Sequence, residues 1–519
     1  MIYRTIVIAV LSLAAWFLTM RYNLHMLQLN GYKNKEHLHW LKKNARRQIL
    51  LYVGIVLAVG RIFLRNTAAD CVIAVFLLFT AWIYNLLRVS KAKKKLVYTA
   101  RVKRLLALHV IISLLIPALT WLLAGLPYVS AACLAAVSLQ WILIVCSNLL
   151  MKPVEKAVSN SYIRDAKRRL RDANNLTVIG VTGSYGKTSV KFYLQTLLSA
   201  GFDVLVTPES FNTPMGVVRT IREKLKPSHE IFVCEMGARH VGDIKEICDI
   251  VHPKHGIITS IGPQHLETFF NMENIKNTKF ELADALPADG MLFVNGDNEY
   301  IRQKTDGYPQ AICYYAGSGN GYSAKNITVS ALGTEFTVVT PEGEEETFSM
   351  RLIGGHNIIN VMGAIAVAHR LGIRLSDLKI PVRRLEPVPH RMQLVERGAV
   401  TIIDDAYNSN PVGSKAAVET LKMFDGVKIL ITPGMVELGE KEEEYNRAFG
   451  EYAAGCCDYI CLVGRKRAEP IAAGVRGTGF PEQKLRIFDR LEEAVNYAYS
   501  IGDEGHKYIL LENDLPDNY

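Results

Sequence analysis

The residues with the clearest capacity for chemistry run Val178-Ile179-Gly180-Val181-Thr182-Gly183-Ser184-Tyr185-Gly186-Lys187-Thr188-Ser189. The apolar stretch from Leu176 to Val181 reads as a buried strand, a glycine-rich turn follows, and an amphipathic helix is expected from about Ser189 to Ala200. Strand, glycine-rich loop and helix N-terminus in that order make a phosphate cradle, because backbone N–H groups and the positive helix end face the anion. In such a cradle Gly183, Ser184, Gly186 and Ser189 surround the phosphates, Lys187 reaches the outer two, and Thr188 ligates Mg2+. The strict spelling of the motif has Gly where Val181 stands. The plain alternative is a strand-to-helix turn that binds nothing.

Other candidates sit at strand ends, where open α/β sheets place their ligands. Glu235 closes the apolar run Ile231-Phe232-Val233-Cys234 and is well placed to hold Mg2+, directly or through water. The bland reading is a solvated strand-end carboxylate. His265 follows Thr259-Ser260-Ile261-Gly262, and a lone histidine is more often structural. Lys279, in Asn277-Thr278-Lys279-Phe280-Glu281-Leu282, reads by itself as a surface lysine at a helix start. Asn357 and Asn360 open a helix, where simple capping accounts for them. His390-Arg391-Met392 and the segment from Asp404 and Asp405 through Tyr407, Asn408 and Asn410 to Pro411 form either a binding loop or a well-capped turn.

These residues need elements to hold them. After Leu176 the chain alternates apolar runs with helical segments. Strands are expected at Thr177–Val181, Val204–Val206, Ile231–Glu235, His255–Ser260 and Met291–Asn295, then at Val400–Ile403, Lys428–Thr432, Tyr459–Val463, Leu485–Phe488 and Tyr508–Leu511. That rhythm implies α/β architecture: a doubly wound, parallel central domain and a Rossmann-like second one. A hairpin pair is expected within Lys325–Arg351, a helix from Asn357 to Leu371 with small residues on one face, and a Pro- and Arg-rich hinge from Pro381 to Pro389.

The first part of the 519-residue chain differs. Five apolar stretches, about Tyr3–Met20, Ile49–Leu64, Cys71–Leu87, Leu105–Leu126 and Val129–Leu150, approach the ~20 residues that cross a hydrocarbon core. One cleaved signal peptide would account only for the first. The loops Arg21–Arg47 and Arg88–Arg104 are rich in Lys and Arg, and positive loops stay cytoplasmic. Five spans then put the N-terminus outside and everything after Leu150 in the cytosol, where ATP is found. The expected organisation is a multi-pass transmembrane domain at 1–151, a charged juxtamembrane connector at 152–175, a central ATP-binding domain at 176–385 and a C-terminal domain at 386–519. The net charge of +10 comes largely from the membrane-flanking loops, so anionic lipid explains it better than nucleic acid. The nine cysteines form no CxxC pair and suit a reducing compartment.

Taken together the motifs resemble the Mur ligase family, from about Leu176 onward, and in particular its branch that adds D-alanyl-D-alanine. Thr182 to Ser189 looks like the family's ATP loop, and Asn212-Thr213-Pro214-Met215-Gly216 is similar to its substrate-side loop. Glu235-Met236-Gly237-Ala238 and Gly262-Pro263-Gln264-His265 resemble its two Mg2+ elements; Lys279-Phe280-Glu281-Leu282 resembles the segment whose lysine is carbamylated and so becomes an anion able to hold a second Mg2+. His356 to Asn360 and Asp405-Ala406-Tyr407-Asn408 resemble the adenosine-holding elements, with Arg391 the arginine near them. The resemblance implies an ATP-dependent carboxylate–amine ligase of peptidoglycan precursor synthesis, working through an acyl-phosphate, with Lys187, His265 and Lys279 catalytic and Thr188, Glu235, His265 and Lys279 at the metal. Its substrates would be a muropeptide-like carboxylate and an amino acid or dipeptide amine, with membrane lipids as neighbours and no nucleic acid. Two departures stand out. Membrane spans replace the soluble domain that holds the uridine-diphosphate sugar, which points to anchoring or to a lipid-linked substrate. The end of the chain, Glu512 to Tyr519, is acidic where the branch carries a Lys-Gly-Ser-Arg-like element, which points to a different or cationic amine. The alternatives are a ligase of the folylpolyglutamate or cyanophycin type, or a non-catalytic ATP-regulated membrane scaffold.

Overall fold

Alternating short strands and amphipathic helices fold the larger part of the chain into two α/β sheets, preceded by a helical region. The computed structural model describes residues 2–43, 53, 56, 67–84, 95–125, 128–330, 333–406 and 410–513. It divides into two compact units, Met1–Ser161 and Tyr162–Asp514.

The first unit is helical, with Ile2–Leu29, Asn34–Lys43, Thr67–Tyr84, Ala100–Ala124, Val129–Ser138 and the start of Gln140–Asp172. Two helices, Ile6–Leu29 and Ala100–Ala124, are long and apolar enough to cross a membrane; the pair Val129–Ser138 and Gln140–Asp172, bent by 77°, makes a third if it counts as one broken span. Asp70–Ile83 is apolar but shorter. Among the described residues this gives two or three candidate spans rather than five, and the expected span Ile49–Leu64 lies outside them apart from residues 53 and 56. At the break near Leu139, Ser138 Oγ and Gln140 Nε2 donate to the carbonyls of Leu134 and Ala136, 3.1 and 2.8 Å away. Leu122 and Leu123 point outward, 78% and 81% exposed, as side chains facing lipid would. His109 is turned inward, bonded to Ser147 Oγ at 2.9 Å and Gln140 Oε1 at 2.7 Å.

In the second unit the first sheet comprises β1 (Thr177–Thr182), β2 (Val204–Val206), β3 (Ile231–Glu235), β4 (His255–Ile258), β5 (Leu292–Asn295) and β6 (Ala311–Tyr314), all parallel, in the order β2-β3-β1-β4-β5-β6. Chain order reverses on either side of β1, so the loop after β1 opens at the switch point between β3 and β4, the usual ligand crevice of such sheets. Apolar cores cover both faces. On one, helix Lys187–Leu198 packs against Gly355–Arg370, whose small residues Gly363, Ala364, Ala366 and Ala368 allow close approach. The expected hairpin is a three-stranded antiparallel sheet, β7 (Ser323–Ser330), β8 (Gly333–Val339) and β9 (Glu345–Met350).

The second sheet comprises β10 (Gln393–Arg397), β11 (Val400–Asp405), β12 (Val427–Thr432), β13 (Tyr459–Val463), β14 (Leu485–Phe488) and β15 (Lys507–Glu512), ordered β10-β11-β15-β12-β13-β14. Only β10 is antiparallel, joined to β11 through Gly398 at φ +62°. Neither β10 nor β6 was expected from the sequence. Pro381 belongs to helix Leu375–Arg383, where its missing N–H leaves only the Asp377 carbonyl one turn upstream without a ladder donor; the irregular link between the sheets begins at Arg384.

Candidate active site

The loop after β1 is built on two glycines that no other residue could replace without strain. Gly183 and Gly186 have φ of +153° and +79°. A Cβ on Gly183 would lie 2.2 Å from Thr259 Oγ1, and one on Gly186 would lie 2.5 Å from Asn360 Oδ1. The loop is pinned to the chain after β4. Ser184 Oγ donates to Gly262 O at 3.1 Å, Tyr185 N donates to Ser260 Oγ at 2.8 Å, and Tyr185 OH donates to Pro263 O at 2.8 Å. Gly186→Ala is expected to destabilise the protein by ~1 kcal/mol or more and to weaken nucleotide binding at least tenfold, read by thermal unfolding and by titration with a non-hydrolysable ATP analogue.

Helix Lys187–Leu198 starts at the loop, two residues earlier than its sequence pattern suggests, and presents two of its first five residues, Thr188 and Lys191, to one carboxylate. Thr188 Oγ1 donates to Glu235 Oε1 at 3.1 Å, Asn212 Nδ2 donates to the same oxygen at 3.0 Å, and Lys191 Nζ pairs with Oε2 at 3.0 Å. Burial alone would raise the Glu235 carboxyl, but Lys191, Lys187 and Asn212 outweigh it and hold it below the ordinary glutamate value. Lys187 Nζ folds back onto the carbonyls of Gly183 and Ser184 at 2.7 and 3.0 Å. Burial pulls its ammonium down to about 8, with Glu235 opposing and Arg391 adding to the fall. Thr213 caps helix Pro214–Lys224 by accepting from Gly216 N at 3.3 Å. So Asn212 faces the Glu235 node, whereas Thr213 serves the helix.

Lys279 is not a surface lysine: it is 2% exposed, in helix Met272–Asp284. Burial drives its ammonium well below the ordinary lysine value, repulsion from Lys187 adds to that, and Asp243 and Glu281 oppose it. His265 caps the short helix Leu266–Phe269 at φ +53°. Its Nδ1 is bonded to Glu437 Oε2, from the loop after β12. Burial lowers the His265 imidazole, while the Glu437 carboxylate resists. Among the described residues no three His, Cys, Asp or Glu side chains form a ready-made metal cage.

The second sheet brings its own groups to the same loop. Arg391 Nη2 donates to Thr188 Oγ1 at 3.5 Å. A cavity of about 320 Å³ opens between Tyr185, Gly186 and Ser189 on one side and Arg391, Asp405, Asn410 and Glu512 on the other, with His356, Asn357 and Asn360 along it. Asn357 accepts from Tyr193 OH at 2.8 Å and donates to Ile353 O at 2.8 Å. His356 Nδ1 is buried with no hydrogen-bond partner among the described residues. Asp405, level with Glu512 across the β11–β15 pair, is pushed up to about 7 by burial and by Glu512, with Asp404 adding and Arg391 opposing. Glu512 itself accepts from Ser414 Oγ and Thr432 Oγ1, both at 2.6 Å. A carboxyl raised in the fold stabilises it at acid pH, and that contribution is lost as pH rises through about 7. Asp405→Asn is therefore expected to flatten the dependence of thermal stability on pH between 4 and 8, by at most ~1.4 kcal/mol per unit, and to be the more stable form at pH 8.

Tyr407, Asn408 and Ser409 lie outside the described residues, as do Asp514 to Tyr519. Lys191 and Glu437 were not singled out from the sequence, and Glu512 entered only as the start of the acidic chain end. Lys191 carried a signal, four residues after Lys187 on the same helical face. Glu437 and Glu512 carried none before the two sheets were brought together.

A glycine loop at a switch point, a buried lysine–threonine–glutamate node and an arginine supplied by a second α/β lobe form a site of the kind an ATP-dependent ligase needs. Residues 181–368 match the Mur ligase middle domain and residues 390–511 the Mur ligase, glutamate ligase domain. The UDP-N-acetylmuramoyl-tripeptide–D-alanyl-D-alanine ligase of Haemophilus influenzae is 32% identical over 322 residues, 60% of this chain and 69% of that protein. Its Escherichia coli counterpart is 33% identical over 323 residues, 61% and 70% of the two chains. Among solved structures, MurF from Acinetobacter baumannii superposes with a TM-score of 0.63 at 26% identity, covering 68% of this chain and 77% of that one. MurF from Thermotoga maritima in complex with ADP gives 0.61 at 26%, covering 69% and 80%. The chain belongs to the Mur ligase family and is a MurF-like, ATP-dependent peptide ligase of peptidoglycan precursor synthesis.

Proposed function

We propose that this ligase joins the free carboxyl group of a muramoyl-peptide to the amino group of D-alanyl-D-alanine or a similar small amine, from the cytoplasmic face of a membrane that holds its N-terminal helices. The observation that carries the reading is the convergence of Lys187, Thr188 and Glu235 from one lobe with Arg391 from the other on a single loop. The loop N–H groups and the N-terminus of helix Lys187–Leu198 receive the phosphates. Lys187, whose Nζ rests on two loop carbonyls, swings to the outer phosphates and takes up the negative charge that develops as the carboxylate attacks in line. Arg391 adds a second cation from the other lobe, and Asp405, Asn357 and the unpartnered His356 face the nucleoside.

Mg2+ fits the site. It favours one or two carboxylates plus substrate phosphates over a dedicated protein cage, and Thr188 Oγ1 and Glu235 Oε1 offer two hard oxygens 3.1 Å apart beside the loop. His265 and Lys279, once carbamylated, would hold a second ion; bound there, the ions neutralise phosphate charge. Closing the lobes excludes water, which would otherwise hydrolyse the acyl-phosphate before the amine arrives.

A second reading has the carboxylate linked to a lipid. The apolar helices favour it, because they occupy the part of the chain that precedes the matched residues 181–511. Phosphate release by the detergent-purified full chain, given ATP, Mg2+, UDP-muramoyl-tripeptide and D-alanyl-D-alanine, separates the two. Release that requires both substrates supports the nucleotide-linked reaction. Protein that binds ATP yet releases phosphate only with a lipid extract supports the lipid-linked one.

A further inference from the structure

One interaction joins the metal side of the first lobe to a loop of the second. Glu437 lies just after β12, in a loop held from several directions. Met435 N donates to Asn446 Oδ1 at 2.9 Å and Asn446 Nδ2 returns a bond to Met435 O at 3.0 Å; Asn513 Nδ2 donates to Gly434 O at 2.6 Å; Leu438 is buried in the second lobe's core. From this fixed base Glu437 reaches across to His265 Nδ1 and lies 3.6 Å from the Arg239 guanidinium. Both Glu437 and His265 hold positive φ, +65° and +53°, a strained backbone for residues with a Cβ. Strain of this kind persists where the surrounding structure enforces it, and it clusters at functional sites.

A carboxylate on Nδ1 fixes the imidazole as the Nδ1–H tautomer and leaves the Nε2 lone pair open. Among the described residues Nε2 has no hydrogen-bond partner. This is the arrangement in which a carboxylate orients a metal-binding histidine from behind and raises its basicity. We propose that Glu437 is a positioning residue for the metal site: the second lobe delivers it on closure, it holds His265 with Nε2 presented to the ion, and metal binding and lobe closure are thereby coupled. The inference rests on the metal role of His265 proposed above. It makes the site incomplete until the second lobe is in place, so that charge neutralisation and water exclusion arrive together.

The test uses Mn2+ as a paramagnetic probe, with a non-hydrolysable ATP analogue and the detergent-solubilised full chain. Electron spin-echo modulation reports whether a nitrogen is bound to the ion, and titration reports affinity. The wild type is expected to show nitrogen coupling that His265→Ala abolishes. Glu437→Ala is expected to weaken Mn2+ binding 10- to 100-fold and to diminish the coupling, with affinity for the analogue in the absence of metal unchanged. Glu437→Gln, which keeps an acceptor for Nδ1–H, should recover part of the coupling; a merely structural contact would give no such rescue. If His265→Ala loses the coupling and Glu437→Ala keeps both coupling and affinity, the positioning role is overturned and the metal reading stands. Tighter Mn2+ binding in Glu437→Ala would make the carboxylate a competitor and also overturn it. Absence of nitrogen coupling in the wild type removes the metal role of His265 and this inference with it.

Discussion

Lys187→Ala is expected to lower ATP-dependent phosphate release by about 10³-fold while the protein stays folded. Three features set the size. Lys187 is half-buried at the mouth of the glycine loop, so its charge acts in a medium of lower dielectric than water, where one cation is worth more. Nothing else on helix Lys187–Leu198 can replace it: Lys191, the next cation on that face, is committed to Glu235 at 3.0 Å. Arg391 comes from the other lobe, where its Nη2 lies 3.5 Å from Thr188 Oγ1, and in the proposed reaction it would reach the same phosphates only with the lobes together. Stability should move the other way. Burial pulls the Lys187 ammonium down to about 8, so holding it charged at neutral pH works against folding, and the alanine variant loses that penalty. Thermal unfolding without nucleotide should show an unchanged or higher midpoint alongside the lost turnover. Substantial residual turnover in Lys187→Ala would remove this lysine from the phosphoryl-transfer step.

The contrast between what could be read along the chain and what could not follows the range of the interactions. The glycine loop was legible because its chemistry is local: strand, turn and helix N-terminus are consecutive, and the conformations of Gly183 and Gly186 are demanded within a few residues. The parallel strands were legible because a strand buried on both faces is a short continuous apolar run. β10 was not, because Gln393-Leu394-Val395-Glu396-Arg397 is an edge strand, half exposed and mostly polar, whose partner is fixed by the turn at Gly398. The three-stranded β7–β9 sheet was half seen, since alternation marks each strand without counting them. The apolar N-terminal runs were visible by composition. How many of them form uninterrupted helices depends on breaks such as the 77° bend near Leu139, which composition does not mark.

Site residues divide along the same line. Glu235 could be located at a strand end, but Lys191 and Asn212, which turn it into a buried node, come from a helix and a loop that meet only in the fold. Glu437, in the loop after β12, and Glu512, at the end of β15, lie 172 and 98 residues along the chain from His265 and Ser414, the groups they bind. No local pattern announces a partner at that distance. Lys279 shows the reverse case: its surroundings in sequence suggest an exposed helix start, and only tertiary packing makes it one of the most enclosed side chains of the first lobe.

That enclosure leads to the second large effect. Lys279→Met is expected to raise thermal stability and to reduce turnover by about 10²–10³-fold, two changes of opposite sign from one substitution. Holding the buried amine well below its ordinary value enlarges its neutral fraction over that of a free lysine, and the neutral amine is the form whose nitrogen lone pair attacks CO2. In the proposed carbamylation the N–C bond would form, a proton would leave, and a carbamate anion would stand where a cation would have repelled Lys187. Methionine fills much of the same space without a polar terminus, so the desolvation cost disappears and the CO2-free protein gains ~1–3 kcal/mol. The sign with pH is fixed by the direction of the shift: an amine lowered in the fold binds fewer protons than in the unfolded chain, so the wild type gains stability as pH rises toward the unfolded lysine value, and the advantage of the methionine variant is greatest at low pH. Activity separates the carbamate from a plain structural lysine. Stripping CO2 from buffers should lower wild-type turnover, bicarbonate should restore it, and Lys279→Met should respond to neither. Wild-type turnover that ignores CO2, with Lys279→Met still active, would leave Lys279 as packing alone and return the charge on the second metal position to His265 and the phosphates.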